Sequence, residues 1–126
     1  MELKKLKRPI VMLNVTERCQ LRCRHCYNNS GVGCESNAEE LLDLTSRIGE
    51  VAGTLNFTGG EPLLRHELPE LLAYTHARGI DNIVTTNGLL LDDNWLEKAE
   101  GNLYMLKIGM MGATEETNDY IRGRGH

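Results

Sequence analysis

With 126 residues the chain has room for one domain and no more. Its 40% hydrophobic and 25% charged residues are the balance of a soluble globular protein, and a net charge of −4 argues against a dedicated nucleic-acid binder. No run approaches the ~20 apolar residues of a membrane span. No small-residue cleavage site follows the short apolar stretch 9–15, so neither a membrane partner nor a signal peptide is expected, and the expected location is cytoplasmic.

Lys4, Lys5, Lys7 and Arg8 open the chain as a solvated basic terminus. Ile10 to Val15 is nearly continuous apolar, which predicts a parallel strand covered on both faces. A long loop then carries all four cysteines. Ser36 with Glu39 forms a capping box, and the helix it opens has Leu41, Leu42, Thr45, Ile48, Val51 and Ala52 at near-helical spacing, ending at Gly53. Thr54 to Thr58 reads as the second strand. The next helix has Pro69 in its first turn and Gly79 beyond its end, with Leu68, Leu71, Leu72 and Thr75 as its inner face. Asp81 to Thr86 is the third strand and turns at Asn87-Gly88. Asp92 or Asp93 caps a short helix through Trp95, Leu96 and Ala99, stopped by Gly101. Leu103 to Met110 is the fourth strand, with Met105, Met110 and Met111 expected to fill core space.

Four alternations of strand and helix predict an α/β fold: a parallel sheet of four βα-type units, half of an eight-fold barrel, spanning residues 1–126. Ligands on such sheets sit at the carboxyl ends of the strands. The cysteine loop, Gly59-Gly60-Glu61-Pro62, Thr86-Asn87-Gly88 and the glycines 109 and 112 all fall on that one rim.

All four cysteines lie between positions 19 and 34, a clustering that points to metal and away from a disulfide framework. In Cys19-x-x-x-Cys23-x-x-Cys26, three thiolates can hold three irons of a four-iron cube and leave the fourth open. The same triplet with His25 or Cys34 can hold zinc. The triplet alone leaves both readings open, with His25 otherwise a loop residue and Cys34 otherwise a spare thiol. Gly59 and Gly60 let backbone approach a small ligand, with Glu61 available to an amino group, or else form a plain strand-to-helix turn. Tyr27 is placed either to pack on an adenine or only on its own loop. Arg18, Arg22 and Arg24 either offset thiolate charge or remain solvated. No acid, base or nucleophile is singled out as catalytic.

Taken together, these motifs resemble the radical S-adenosylmethionine (SAM) superfamily from about residue 9 to the end. The run Val15-Thr16-Glu17-Arg18-Cys19-Gln20-Leu21-Arg22-Cys23-Arg24-His25-Cys26-Tyr27-Asn28 is similar to the cluster loop of the branch with C-terminal SPASM or twitch extensions, which modifies peptides and tetrapyrroles. Gly59-Gly60-Glu61-Pro62 resembles the family's motif for the SAM amino group. Thr86-Asn87-Gly88 resembles its third-strand segment, and residues 118–123 its stretch after strand four. The resemblance implies a [4Fe–4S] cluster on Cys19, Cys23 and Cys26, and SAM contacts from Tyr27, Gly59, Gly60, Glu61, Pro62, Asn87 and Arg122. It also implies reductive cleavage of SAM to a 5′-deoxyadenosyl radical, which takes a hydrogen atom from a peptide or tetrapyrrole-type substrate. A low-potential donor such as flavodoxin or ferredoxin would supply the electron.

Two departures qualify that expectation. The family's fourth strand commonly ends in a Ser-x-Asp-Gly pattern that reaches the ribose, where this chain has Gly109-Met110-Met111-Gly112. The family's partial (β/α)6 barrel has six strands, and the chain reaches His126 soon after the fourth, without an auxiliary-cluster domain. A truncated core domain is therefore expected, with strand four as an open edge and a second chain as the candidate for the other half-barrel. The rival readings are a non-catalytic or partner-dependent iron–sulfur module and a structural zinc-binding protein.

Overall fold

Leu13, Val15, Leu55, Phe57 and Val84 project from one face of four parallel strands and are buried together. A computed structural model describes residues 8–28 and 35–126, so the three early lysines and Cys34 lie outside the described residues. The strands β1 (Ile10–Thr16), β2 (Thr54–Gly59), β3 (Asp81–Thr86) and β4 (Met105–Ile108) are ordered β1-β2-β3-β4. Between them run α1 (Ala38–Gly49), α2 (Leu68–His76) and α3 (Asp93–Ala99), and α4 (Glu115–Arg122) follows β4. The α/β reading of four parallel βα units holds.

The strand register sorts the side chains into two faces. Met12 pairs with Asn56, Asn56 with Ile83, and Ile83 with Met105, all on one side. Leu13, Phe57, Val84 and Leu106 stand on the other. That second side packs against Leu41, Leu68, Leu71, Leu72 and Trp95 of the helices. The expectation that β1 is covered on both faces is therefore corrected. Ile10 and Met12 are 66% and 63% exposed, because the helices take only one side of the sheet. The methionine expectation changes for the same reason: Met105 is on the open face, Met110 lies past the strand and is exposed, and Met111 is half-buried.

Helix boundaries follow the local polar chemistry. Asn37, not Ser36, caps α1: its side chain accepts from the Glu40 amide at 2.9 Å while Glu40 reaches back to the Asn37 N–H at 2.9 Å. The Ser36 carbonyl instead accepts from Arg65 at 2.9 Å, which holds Ser36 outside the helix. All four residues expected on the inner face of α2 are buried. Asp92 is the cap of α3, accepting from the Trp95 amide at 2.7 Å. The helix α4 was not anticipated, although Thr114 and Thr117 cap it reciprocally and acidic residues fill its first turn.

Asn82, on the helix-covered side of β3, is 1% exposed and has three partners there. Its amide donates to the Leu72 carbonyl at 2.8 Å and the Asn102 carbonyl at 2.9 Å, and its oxygen accepts from the Thr75 hydroxyl at 2.7 Å. Replacing it removes three hydrogen bonds and leaves the Leu72 and Asn102 carbonyls without its amide. The Asn82→Ala substitution is expected to lower unfolding free energy by about 2–4 kcal/mol, read as a fall in urea midpoint at unchanged slope.

Candidate functional site

The cysteine loop begins where β1 stops, and a contact between two backbones fixes its direction. The amide of Gly60 donates to the Thr16 carbonyl at 2.8 Å, and that of Glu61 to the Arg18 carbonyl at 2.7 Å. A Cβ on Gly59 would stand 2.3 Å from the Thr16 carbonyl oxygen, and one on Gly60 would stand 2.1 Å from that of Arg18. Gly59 also has φ of +133°. The paired glycines are thus required by the neighbouring loop itself, whatever ligand they also admit.

The far end of the loop is tied back to the same place. Glu35 accepts from the Thr16 hydroxyl and from Arg18 Nε, the latter at 2.9 Å, and pairs with the buried Arg65 at 3.5 Å. Arg65 also pairs with Glu67 at 3.2 Å. Nothing in the sequence marks the pairing of Glu35 with Arg18 and Arg65, since those partners are distant in the chain. Within the loop, the Cys26 amide closes a tight turn onto the Cys23 carbonyl at 3.1 Å. Arg22 donates to the Cys19 and Leu21 carbonyls at 2.8 and 2.9 Å. The Arg24 amide donates to the Ile121 carbonyl at 2.9 Å, and its guanidinium lies 4.3 Å from the centre of the Tyr120 ring. Each of the three loop arginines therefore has a positional job.

Glu61 differs from expectation. It is fully buried, and its carboxylate accepts from the Thr86 hydroxyl at 2.6 Å, the Leu63 amide at 3.1 Å and the Asn87 amide at 2.8 Å. Its role in this chain is to fasten the end of β3 to the glycine turn. The buried Pro62 opens the short 3-10 turn Pro62–Leu64 that follows. Asn87 donates its side-chain amide to Gln20 Oε1 at 3.3 Å and to Cys19 Sγ at 3.8 Å. Arg122, 7% exposed, comes back from α4 to donate to the Asn87 carbonyl at 2.8 Å and the Gly109 carbonyl at 3.3 Å.

Two adjoining cavities lie at this rim. One, of about 150 Å³, is lined by Cys19, Cys23 and Cys26 with His25, Tyr27, Gly59, Gly60 and Asn87. The other, of about 350 Å³, continues past Cys23, Tyr27, Gly59, Gly60 and Asn87 to Arg122. Five of the seven residues expected around SAM thus face this space, and Glu61 and Pro62 do not. Met12, Thr58, Thr85, Gly109 and Met111 line it as well. Alternation on the open side of the strands is the signal that would have revealed Met12, Thr58 and Thr85. A wider groove of about 1070 Å³ along the exposed α4 carries none of the cysteines.

The chemistry of the lining is specific. Burial pushes the Cys23 thiol up from its ordinary range, and the neighbouring Cys19 and Cys26 sulfurs add to the shift while Arg122 opposes it. Cys23 thus feels both of the other cysteines and the arginine. Among the described residues no three His, Cys, Asp or Glu side chains are gathered as a single-ion site would gather them. Cluster ligands differ from such a set, each thiolate going to its own iron. Arg122 Nε is buried without a hydrogen-bond partner, leaving cationic capacity beside the cavity. Soft thiolate donors next to a buried cation fit a thiolate-bound iron–sulfur group with an anionic ligand at its side. Among the described residues no helix is long and apolar enough to cross a membrane.

A family model described as the radical SAM superfamily matches residues 13–126. Among curated proteins, the Fe-coproporphyrin III synthase of Methanosarcina barkeri is 36% identical over 98% of this chain and 32% of its own length. The PqqA peptide cyclase of Granulibacter bethesdensis is 34% identical over 70% of this chain and 25% of its own. Among solved structures, Streptococcus suis SuiB bound to its precursor peptide SuiA superposes with a TM-score of 0.80 at 19% identity, covering 94% of this chain and 28% of that one. SuiB bound to S-adenosylmethionine gives 0.78 at 18% identity, covering 91% and 28%. At that identity the likeness establishes the fold. The chain spans about a third or less of the length of each of these relatives.

Two outcomes follow from the loop geometry. Gly60→Ala must displace the Arg18 carbonyl, with an expected loss of about 2–4 kcal/mol and faster tryptic cleavage after Arg22 and Arg24 in limited proteolysis. Because the Cys23 pKa is raised, its thiol stays protonated to higher pH than a free cysteine. Its alkylation by iodoacetamide in metal-free protein should therefore reach half-maximal rate above the pH at which a cysteine peptide does, as read by mass spectrometry of the modified residue.

Proposed function

This chain belongs to the radical SAM superfamily, and from that premise we propose that Cys19, Cys23 and Cys26 hold a [4Fe–4S] cluster with SAM on the fourth iron, in the service of hydrogen-atom abstraction from a peptide or tetrapyrrole-type substrate. The observation that carries the reading is the convergence of four separate chain segments on one space. The cysteine loop, the glycine turn, Asn87 and Arg122 all line the adjoining cavities at the carboxyl ends of the strands. When bound, the cluster and SAM would supply the electron transfer and the 5′-deoxyadenosyl radical of this chemistry.

The chain's own residues have distinct duties in this reading. The backbone at Gly59 and Gly60 leaves space beside the cysteines, and Glu61 holds Asn87 against that space. Arg122 provides a positive charge suited to a carboxylate. Tyr27, 78% exposed, offers a ring face for a purine. Met12 and Met111 make part of the wall apolar and so disfavour water. Relatives named for a coproporphyrin and for a peptide support the substrate classes. A low-potential electron donor of the flavodoxin or ferredoxin type would complete the system. The exposed Met105 and Ile108 on the edge strand β4 suit coverage by further strands, from this protein or a partner chain.

Anaerobic reconstitution with ferrous iron and sulfide should give a brown protein with about four irons and four sulfides per chain. With SAM and dithionite it should release 5′-deoxyadenosine, detectable by chromatography. Alanine at Cys19, Cys23 or Cys26 should abolish both cluster and product. A cluster without SAM cleavage selects the non-catalytic, partner-dependent module. Stoichiometric zinc with no uptake of iron and sulfide overturns the proposal in favour of a structural zinc site.

A further inference from the structure

We propose that Asn87 tunes the reduction potential of the metal group through the Cys19 sulfur, its side-chain N–H raising the potential above that of the same loop without the donor. This rests on the reading that the three cysteines hold an iron–sulfur cluster.

The orientation of the Asn87 amide follows from its partners. Its oxygen accepts from the Leu89 amide at 3.0 Å, which fixes the other end of the group as the NH₂. That NH₂ faces Cys19 Sγ at 3.8 Å and Gln20 Oε1 at 3.3 Å, across 68 residues of sequence in the case of the sulfur. A residue needed only for the turn at Asn87-Gly88 would use its oxygen and have no call on its nitrogen. The backbone is immobilised on both sides: the Asn87 N–H donates to Glu61 at 2.8 Å, and its carbonyl accepts from Arg122 at 2.8 Å. Glu61 is fully buried and Arg122 nearly so, so the donor is held by a rigid frame. The Leu21 amide, at 3.4 Å, is a second donor to the same sulfur, supplied by the loop itself.

Hydrogen bonds to cluster sulfurs withdraw electron density from the thiolates and favour the reduced, more negative state. The amide of Leu21 cannot be removed by a side-chain change, whereas that of Asn87 can. Asn87 is therefore a positioning and tuning residue, acting on the cluster through Cys19.

The test compares reconstituted wild type with Asn87→Asp and Asn87→Ala, by EPR-monitored redox titration alongside iron and sulfide content and thermal unfolding. Asn87→Asp keeps the acceptor for Leu89 and the size of the side chain but loses the NH₂; Asn87→Ala loses the donor without adding charge. Both should load metal as the wild type does. At a fixed potential, Asn87→Ala should show about a three- to tenfold lower ratio of reduced to oxidised cluster, tenfold being ~59 mV for one electron, and Asn87→Asp should fall further because of its charge. A loaded variant that keeps the wild-type midpoint overturns the proposal. So does failure of both variants to hold a cluster, since the donor would then be structural. Failure of the wild type to take up iron and sulfide overturns instead the reading on which the proposal rests.

Discussion

The close approach of the glycine turn to the root of the cysteine loop is the constraint from which the rest of the site follows. Two short hydrogen bonds join Gly60 and Glu61 to the Thr16 and Arg18 carbonyls, and they form only because no Cβ intervenes at positions 59 and 60. That contact sets where the loop leaves β1. It also turns the Glu61 side chain inward, where the carboxylate collects the Thr86 hydroxyl and the Asn87 amide. Asn87 in turn holds Cys19 and receives Arg122. The ends of β1, β2 and β3 and the last turn of α4 are thereby locked into one polar lattice, each step positioned by the one before it.

Such a lattice is costly to bury unless every member is paired, and the partial exceptions lie where the chemistry is. Arg122 keeps an unpartnered Nε beside the cavity, and the Cys23 thiol is pushed up by burial and by its sister thiols. Under the proposed function one event would satisfy both: a metal group held by the cysteines would take the place of the thiol proton, and its anionic ligand would meet the guanidinium. The apolar core carries neither of these two groups. It lies on the opposite side of the sheet, where Phe57, Leu55 and Val84 pack against the helices, so the site can hold awkward groups without loosening the fold.

Much of this was legible in the sequence, for definite reasons. Period-3.6 spacing placed Leu68, Leu71, Leu72 and Thr75 correctly because a packed helix face leaves no freedom of register. The cysteine triplet and the glycine pair were legible because their spacing is local. What escaped was whatever depends on contacts between remote residues. Ser36 lost the capping role to Asn37 because Arg65, 29 residues away, takes its carbonyl. Ile10 to Val15 read as doubly covered because apolar composition cannot distinguish a strand between two layers from one whose second face borders a cavity wall. That the Glu61 carboxylate binds Thr86 and Asn87 is likewise a contact between remote residues, which four residues of sequence do not reveal.

The departure at residues 109–112 takes its meaning from the same lattice. The sequence already showed that this strand end lacks the polar side chains common in the superfamily it resembles. Here Gly112 lies so near α4 that a Cβ would stand 2.2 Å from Thr117 Oγ1 and 2.6 Å from the Asn118 nitrogen. The Met111 amide donates to Asn118 Oδ1 at 3.3 Å, and the Gly109 amide to the Thr86 carbonyl at 2.9 Å. The segment is therefore shaped to seat α4 tightly against the end of the sheet. Only in that seating does Arg122 reach the carbonyls of Asn87 and Gly109, and only then does the Arg24 amide meet the Ile121 carbonyl. The segment, which carries no polar side chain of its own, thus serves to seat the helix that delivers the buried Arg122 cation to the same cavity.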